Sequence, residues 1–442
     1  MRSENQSRSI WRDRISLGIL FFALVLRLAA AHQWQSMADR EGVLFRFGDS
    51  DSYWVLAGRL AHGEPYEYGG PNSKIFRAPL YPIVLAPCRW IEDPRSSVMM
   101  ARYLGCVLGT ITVGLVMMAA KRLGGLGAAR LAGVAAACYP GAMGMSVFVL
   151  SEAIFCPLIA CSLLAWSMRF SNSSAVEPIS FSKRALGWAL VSGAATGLAC
   201  LARPSWILWP GVLLAMGAMT PRKARWVDGV ALMLAMIAVM SPWWWRNFMV
   251  TGTWIPTTLQ VGASLYDGWH PNATGSSDEG MLFSEEFASK QAEEDAEAIR
   301  EGRPLVSTME YRLDRKLFSA AISWARENPS DVIRLGVLKS WKTWSPFPTA
   351  SQVGNAVLRW SEALSYMGIL FFAALGIGIE RHRWRLMIWY GMPCFYYGAL
   401  HFVFVGSIRY RQPAVLMLCV IAGVGAIHVW HWIQSRSKAL PN

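Results

Sequence analysis

Long apolar stretches fill most of this chain, at roughly 15–32, 97–120, 126–145, 147–168, 185–202, 205–219, 227–245, 357–379, 386–405 and 413–433. A helix needs about 20 mostly apolar residues to cross a bilayer. Lipid offers the backbone no hydrogen-bond partners, so such stretches are stable only as helices packed in a bundle. Composition agrees, since 54% of the 442 residues are hydrophobic and 16% are charged, too apolar a balance for a water-soluble globule. The predicted fold is an all-α polytopic membrane protein with about ten transmembrane helices.

The formal net charge of +13 does not point to nucleic acid, because the basic residues gather at the ends of the apolar stretches. Arg2, Arg8, Arg12 and Arg14 precede the first. Lys121/Arg122, the stretch 169–184, Arg222/Lys223/Arg225, Arg381/Arg383/Arg385 and Arg436/Lys438 then fall on every second side. The positive-inside rule places those sides, and both termini, in the cytoplasm. A cleaved signal peptide ending near Ala29–His32 is the competing reading of the first stretch. Either way the long polar connections 33–96 and 246–356 face the other compartment. The predicted organisation is an N-terminal membrane module, 1–245, that includes the loop 33–96, then an outer helical cap, 246–356, and C-terminal membrane helices, 357–442. Seven of the eight cysteines lie within apolar stretches and none forms a C-x-x-C pair, which excludes a disulfide framework or a zinc site.

Within the first outer loop, Asp49 or Ser50 can cap a helix whose Tyr53, Leu56, Ala57 and Leu60 repeat every three to four residues until Gly63. An amphipathic helix at the membrane surface is expected there. The apolar segment Lys74–Trp90 is broken by Pro79, Pro82 and Pro87 and reads as re-entrant or interfacial. The cap begins after three tryptophans, Trp243–Trp245, suited to the membrane interface. It continues with helical spacing through Leu313, Leu317, Ala320/Ala321 and Trp324. No Gly-rich phosphate loop is present, and the glycines at 124, 125 and 127 belong to a short cytoplasmic turn.

Chemistry can be carried by few groups. Asp49 and Asp51 form an Asp-x-Asp, a metal-binding pattern in soluble nucleotide-sugar transferases, or else a helix cap beside a solvated carboxylate. Facing away from the cytoplasm, they fit a donor that has already crossed the membrane, a lipid-linked sugar. Glu152 is the acid set deepest in apolar sequence. Around them the outer ends of the helices and the loops place Arg27, Lys74, Arg77, Arg203, Arg246, Arg409 and Arg411. Ionisable residues at membrane depth are costly and usually face a cavity or a partner, and guanidinium groups hold phosphate oxygens bidentately. The seven histidines show no ligand spacing.

These residues occur in blocks that resemble those of the GT-C membrane glycosyltransferases, in particular the bacterial glycosyltransferase family 39 group. That group includes protein O-mannosyltransferases and the aminoarabinose transferase of lipid A. The opening arginine Arg27 is followed by Asp49, Tyr53, Ala57, Leu60 and Gly63 in "DSDSYWVLAGRLAHG". "RAPLYP" (Arg77–Pro82), "LSEAIF" (Leu150–Phe155), "ARPSWILWP" (Ala202–Pro210), "SPWWWRN" (Ser241–Asn247) and "RYRQP" (Arg409–Pro413) come next in the family's order. Many relatives carry Asp-Glu where this chain has Asp49-Ser50, with a second acid at Asp51 instead.

The resemblance implies a GT-C-like bundle and an inverting transferase that moves a sugar from a polyprenyl-phosphate carrier to an acceptor hydroxyl on the extracytoplasmic side. Its implied catalytic residues are Asp49, Asp51 and Glu152, with Asp49 or Asp51 as general base. Lys74, Arg77, Arg203, Arg409 and Arg411 would hold the donor phosphate. Arg27, Tyr53, Tyr81, Arg246 and Tyr410 would shape the acceptor side. A divalent metal ion is a possible cofactor, and the partners are the lipid-linked sugar, membrane lipids and an acceptor whose identity the sequence leaves open. The alternative from another class is a transporter or flippase of a lipid-linked anion, for which repeated halves and broken midplane helices are the expected marks.

Overall fold

A computed structural model describes residues 9–69, 73–169, 183–218, 224–278, 282–348 and 356–437. Arg2, Arg8, Arg222, Lys223, Lys438 and most of the basic stretch 169–184 lie outside the described residues.

Among the described residues the regular structure is entirely helical. The helices are α1 (Arg14–Glu41), α2 (Gly48–Ala61), α3 (Leu80–Leu85), α4 (Pro94–Cys138), α5 (Pro140–Val147), α6 (Glu152–Ser167), α7 (Lys183–Ala202) and α8 (Trp209–Ala218). They continue with α9 (Ala224–Thr251), α10 (Val261–Gly268), α11 (Leu282–Arg300), α12 (Met309–Glu327), α13 (Pro329–Trp344), α14 (Ala356–Ile379), α15 (Trp384–Val403) and α16 (Ile408–Ser437). This is a polytopic membrane bundle. By length and composition six described helices, α1, α4, α7, α9, α14 and α16, can cross a bilayer, and α5 with α6 would make a seventh, bent by 120°.

The ten apolar stretches map onto this bundle with local departures. Stretches 97–120 and 126–145 run into α4, whose two halves meet at Gly125, with φ 78° and ψ −170°. Only glycine takes up that backbone without strain, so the expected turn is a sharp break inside one long helical element. Stretch 205–219 forms a single 3₁₀ turn, Pro204–Trp206, followed by the short helix α8. The stretch from 147 turns helical again only at Glu152, after Val149 is held at φ 57°. A β-branched residue there costs on the order of 1–3 kcal/mol, and the bend is what presents the start of α6 to the site.

The centre of the bundle is α16, buried on nearly every side from Arg411 to Gly425. It packs between α4 and α14, and a wide apolar core joins α4, α6, α7, α9, α14 and α15 to it. Helices α10 to α13, from the predicted cap, sit over one end. At that end α7 and α15 arrive by their C-termini, while α6, α14 and α16 leave by their N-termini. Polar side chains at helix ends therefore converge.

Candidate active site

Asp49 does not cap α2. Phe47 is the N-cap and makes no side-chain capping bond, so Asp49 lies inside the first turn. Ser50, the other expected cap, instead donates its hydroxyl to the Phe148 carbonyl at 2.9 Å. The carboxylate of Asp49 turns toward cations, a stronger attraction than a terminal N–H. Its Oδ1 accepts from Arg77 at 2.5 Å and its Oδ2 from Arg409 at 2.7 Å. Burial alone would raise the Asp49 carboxyl, but the Arg77 and Arg409 charges outweigh it and hold the group well below the usual carboxylate range.

The network continues through Glu152, the first residue of α6, whose side chain is 1% exposed. Arg409 donates to it from Nε at 2.6 Å and from its second amino nitrogen at 3.3 Å. Arg203, just past the end of α7, also pairs with Glu152 and reaches the Ser151 hydroxyl at 3.4 Å. Two carboxylates and three guanidiniums thus alternate in one line: Arg77, Asp49, Arg409, Glu152, Arg203. Because three positive charges meet two negative ones, the line carries one surplus positive charge.

Aromatic rings frame it. Arg77 lies over the rings of Tyr53, at 5.1 Å, and Phe76, at 4.8 Å. Arg203 and Arg409 flank Tyr410 at 5.7 and 5.8 Å, which stacks on His401 with centroids 4.4 Å apart. Cation–π contacts of this kind strengthen once water is excluded. Tyr53 donates its hydroxyl to Ser151 at 3.2 Å, and Tyr81 is buried edge-on against it with centroids 5.2 Å apart.

Asp49, Arg77, Arg409 and Tyr410 line a cavity of about 1270 Å³. One wall is apolar, built from Trp34, Met37, Phe47, Met143, Met145 and Phe148. The cap adds polar residues, Ser276, Ser277, Asp278, Glu285, Glu310 and Lys342, together with Leu313 and Leu317. The space therefore brings both apolar and hydrophilic lining to the same cluster.

Other residues singled out in the sequence stand apart. Arg411, two residues beyond Arg409, points the other way: it is fully buried, pairs with Glu362 at 3.2 Å and lies 3.8 Å over Tyr366. Two residues apart on one helix, the side chains are turned about 200° from each other and cannot both reach one phosphate. Arg27 is buried too, donating to Ser146 Oγ at 3.3 Å and to the carbonyls of Ala23 and Ala136 at 3.1 and 3.2 Å. It ties α1 to α4 and α5. Lys74 pairs with Glu67 at 3.4 Å. Arg246 sits over Tyr66 and Trp243. Asp51 is exposed and accepts a bond from Tyr68 at 3.3 Å.

Sequence reasoning missed Ser52 and Gln260, which accept from Arg77 at 2.9 and 3.1 Å. Gln260 lies in the cap with no motif around it, so no sequence signal marked it. Glu362 was missed as well; it binds Tyr139, Gly141 and Arg411 together. Among the described residues no three His, Cys, Asp or Glu side chains converge to hold a metal ion. Both carboxylates of the line are taken up by guanidinium groups, so this donor set does not fit a divalent cation.

No protein-family model matches the chain, and a search of curated proteins finds no match. Solved structures do match in fold. The Archaeoglobus fulgidus oligosaccharyltransferase in the apo form superposes with a TM-score of 0.56 at 15% identity, over 98% of this chain and 53% of that one. The same organism's AglB, in complex with an inhibitory peptide and a dolichol-phosphate, gives a TM-score of 0.55 at 12% identity, over 96% and 52%. ArnT from Cupriavidus metallidurans in the apo state matches at 17% identity over 86% and 74%, with a TM-score of only 0.38. The chain spans about half the length of the oligosaccharyltransferases it superposes on. It has the GT-C fold.

Proposed function

We propose that this chain is an integral-membrane inverting glycosyltransferase that moves a sugar from a polyprenyl-phosphate carrier to an acceptor hydroxyl on the extracytoplasmic side. The observation that carries this reading is the line of three arginines and two carboxylates at a cavity lined by both apolar and polar residues. Its surplus of one positive charge matches a sugar phosphodiester, which carries one negative charge.

The phosphate approaches from the apolar wall with its lipid and competes with Asp49 for Arg77 and Arg409. As the guanidiniums turn to the phosphate oxygens, Asp49 loses the charges that kept its basicity low. It then accepts the proton of the acceptor hydroxyl while that oxygen forms its bond to the anomeric carbon. The carbon–oxygen bond to phosphate breaks, and its electron pair stays on the phosphate, where Arg77 and Arg409 stabilise the growing charge. Glu152 keeps Arg409 and Arg203 in place through the exchange. Asp49, rather than Asp51, is the base on this account, because Asp51 reaches neither arginine among the contacts found.

The test is donor consumption by purified protein given a radiolabelled polyprenyl-phosphate sugar. Release of polyprenyl phosphate with label in a second product supports transfer. Label crossing a proteoliposome membrane with the donor intact would replace the reading with transport.

A further inference from the structure

Arg77, which lines the cavity beside Arg409, is fixed by two loops, and one cap helix fastens both. Glu310, in the first turn of α12, accepts the backbone N–H of Lys74 at 2.9 Å and of Ile75 at 3.1 and 3.2 Å. The Ile75 carbonyl accepts in turn from the Leu259 N–H at 3.0 Å. One turn along α12, Asp314 accepts the N–H of Gly262 at 2.7 Å. Between these fastenings lie Arg77 and Gln260, bonded to each other. Helix α12 is itself held to α11 by Arg312–Asp295 and Lys316–Glu294 pairs.

We propose that the Glu310–Asp314 face of α12 is a clamp that positions Arg77 and Gln260 for the donor phosphate, making the cap a determinant of donor binding. This rests on the reading of Arg77 as a phosphate ligand. The physical reason is reach. Arg77 lies two residues from a held amide, so releasing the loop moves the guanidinium off both Ser52 and Gln260, and misplacement by about 1 Å is enough to cost a large factor in a positioned site.

Burial pushes the Glu310 carboxyl up to about 7, against the opposing pull of the two amides and of Arg246. The charged groups around it are Arg246 from α9, Lys74 and Glu67 from the loop, and Asp314 on its own helix. Burying the charged form thus costs more than the two amides and Arg246 return, and a released, solvated Glu310 goes back to the ordinary carboxylate value. The clamp is therefore firmest with Glu310 protonated, loosens as pH rises through about 7, and donor affinity falls with it.

The experiment measures the affinity of the purified full chain for a polyprenyl-phosphate sugar between pH 6 and 8, alongside thermal unfolding. Wild type should bind more weakly at the upper pH, by up to about tenfold, the shift that a clamped value near 7 against an ordinary value of 4.5 gives over this range. Glu310→Gln should be flat at the wild-type low-pH affinity, with its melting temperature kept, and Asp314→Asn should weaken binding while retaining the pH slope. A Glu310→Gln variant that keeps the wild-type slope, or that binds as weakly as wild type at high pH, overturns the clamp. Arg77→Ala separates the two readings. If it loses donor binding while Asp314→Asn does not, the clamp alone is wrong; if it binds donor normally, the phosphate reading falls and the clamp with it.

Discussion

At the scale of single residues, Asp49 and Arg77 have opposed effects on donor binding. Asp49→Asn preserves shape but cannot accept the proton, so turnover should fall by about 10²–10⁴, the usual worth of a general base. Removing the carboxylate also removes the competitor for Arg77 and Arg409, so donor affinity should hold or improve. A loss of turnover with unimpaired donor binding, read from single-turnover kinetics beside equilibrium binding, is the expected result. A fully active variant would remove Asp49 from the chemistry. Arg77→Lys keeps the charge but cannot span Asp49, Ser52 and Gln260 at once, and donor affinity should drop roughly tenfold for the lost fork. Much of this was legible in the sequence, because a charge set in apolar surroundings is conspicuous. Direction was not. Arg409 and Arg411 look alike in "RYRQP", and only the helix, turning about 100° per residue, sends one to Asp49 and the other to Glu362. Ser52 and Gln260 were invisible for the opposite reason, since a neutral polar residue in a polar loop stands out from nothing.

At the scale of elements, the bundle depends on how closely α16 approaches its neighbours. A methyl group added at Gly425 would stand 2.0 Å from the Phe372 carbonyl on α14, a backbone atom with no room to yield. Small residues allow such approaches between membrane helices, where packing rather than the hydrophobic effect drives association. Gly425→Val should therefore destabilise the protein by about 1–3 kcal/mol, seen as a lower melting temperature in detergent. Donor binding should weaken too, because Arg409 rides on the same helix. A variant that melts like wild type would mean that α14 and α16 can separate without penalty. Helix periodicity and length made the long elements readable. The bend between α5 and α6 was not, because Val149 in its left-handed conformation is imposed by packing of the helices around it and no local residue choice announces it.

At the scale of the whole molecule, the short connections at the end of the bundle away from the site carry basic residues. The end away from the site gathers Asp13 with Arg130 at 2.7 Å, Arg122 donating to the Ser167 carbonyl at 2.7 Å, and Arg383 donating to the carbonyl of Leu123 beside the Gly125 break. Arg169 and Asp228 pair there as well. Basic residues in short connections are what membrane insertion leaves on the cytoplasmic side, and the proposed orientation, with the site opening on the other face, follows that rule. Orientation matters to the chemistry: only a site facing away from the cytoplasm needs a donor that lipid has carried across. Glu64, beyond α2, and Glu301, beyond α11, are exposed at the site end, and His382 is exposed in the turn between α14 and α15. Single cysteines placed at Glu64 or Glu301 in a cysteine-free background should react with a membrane-impermeant maleimide in intact spheroplasts. One at His382 should react only after the membrane is opened. Labelling of His382 alone in intact cells would turn the cavity toward the cytoplasm, where nucleotide sugars are available, and would remove the reason for a polyprenyl-phosphate donor even with the arginine line intact.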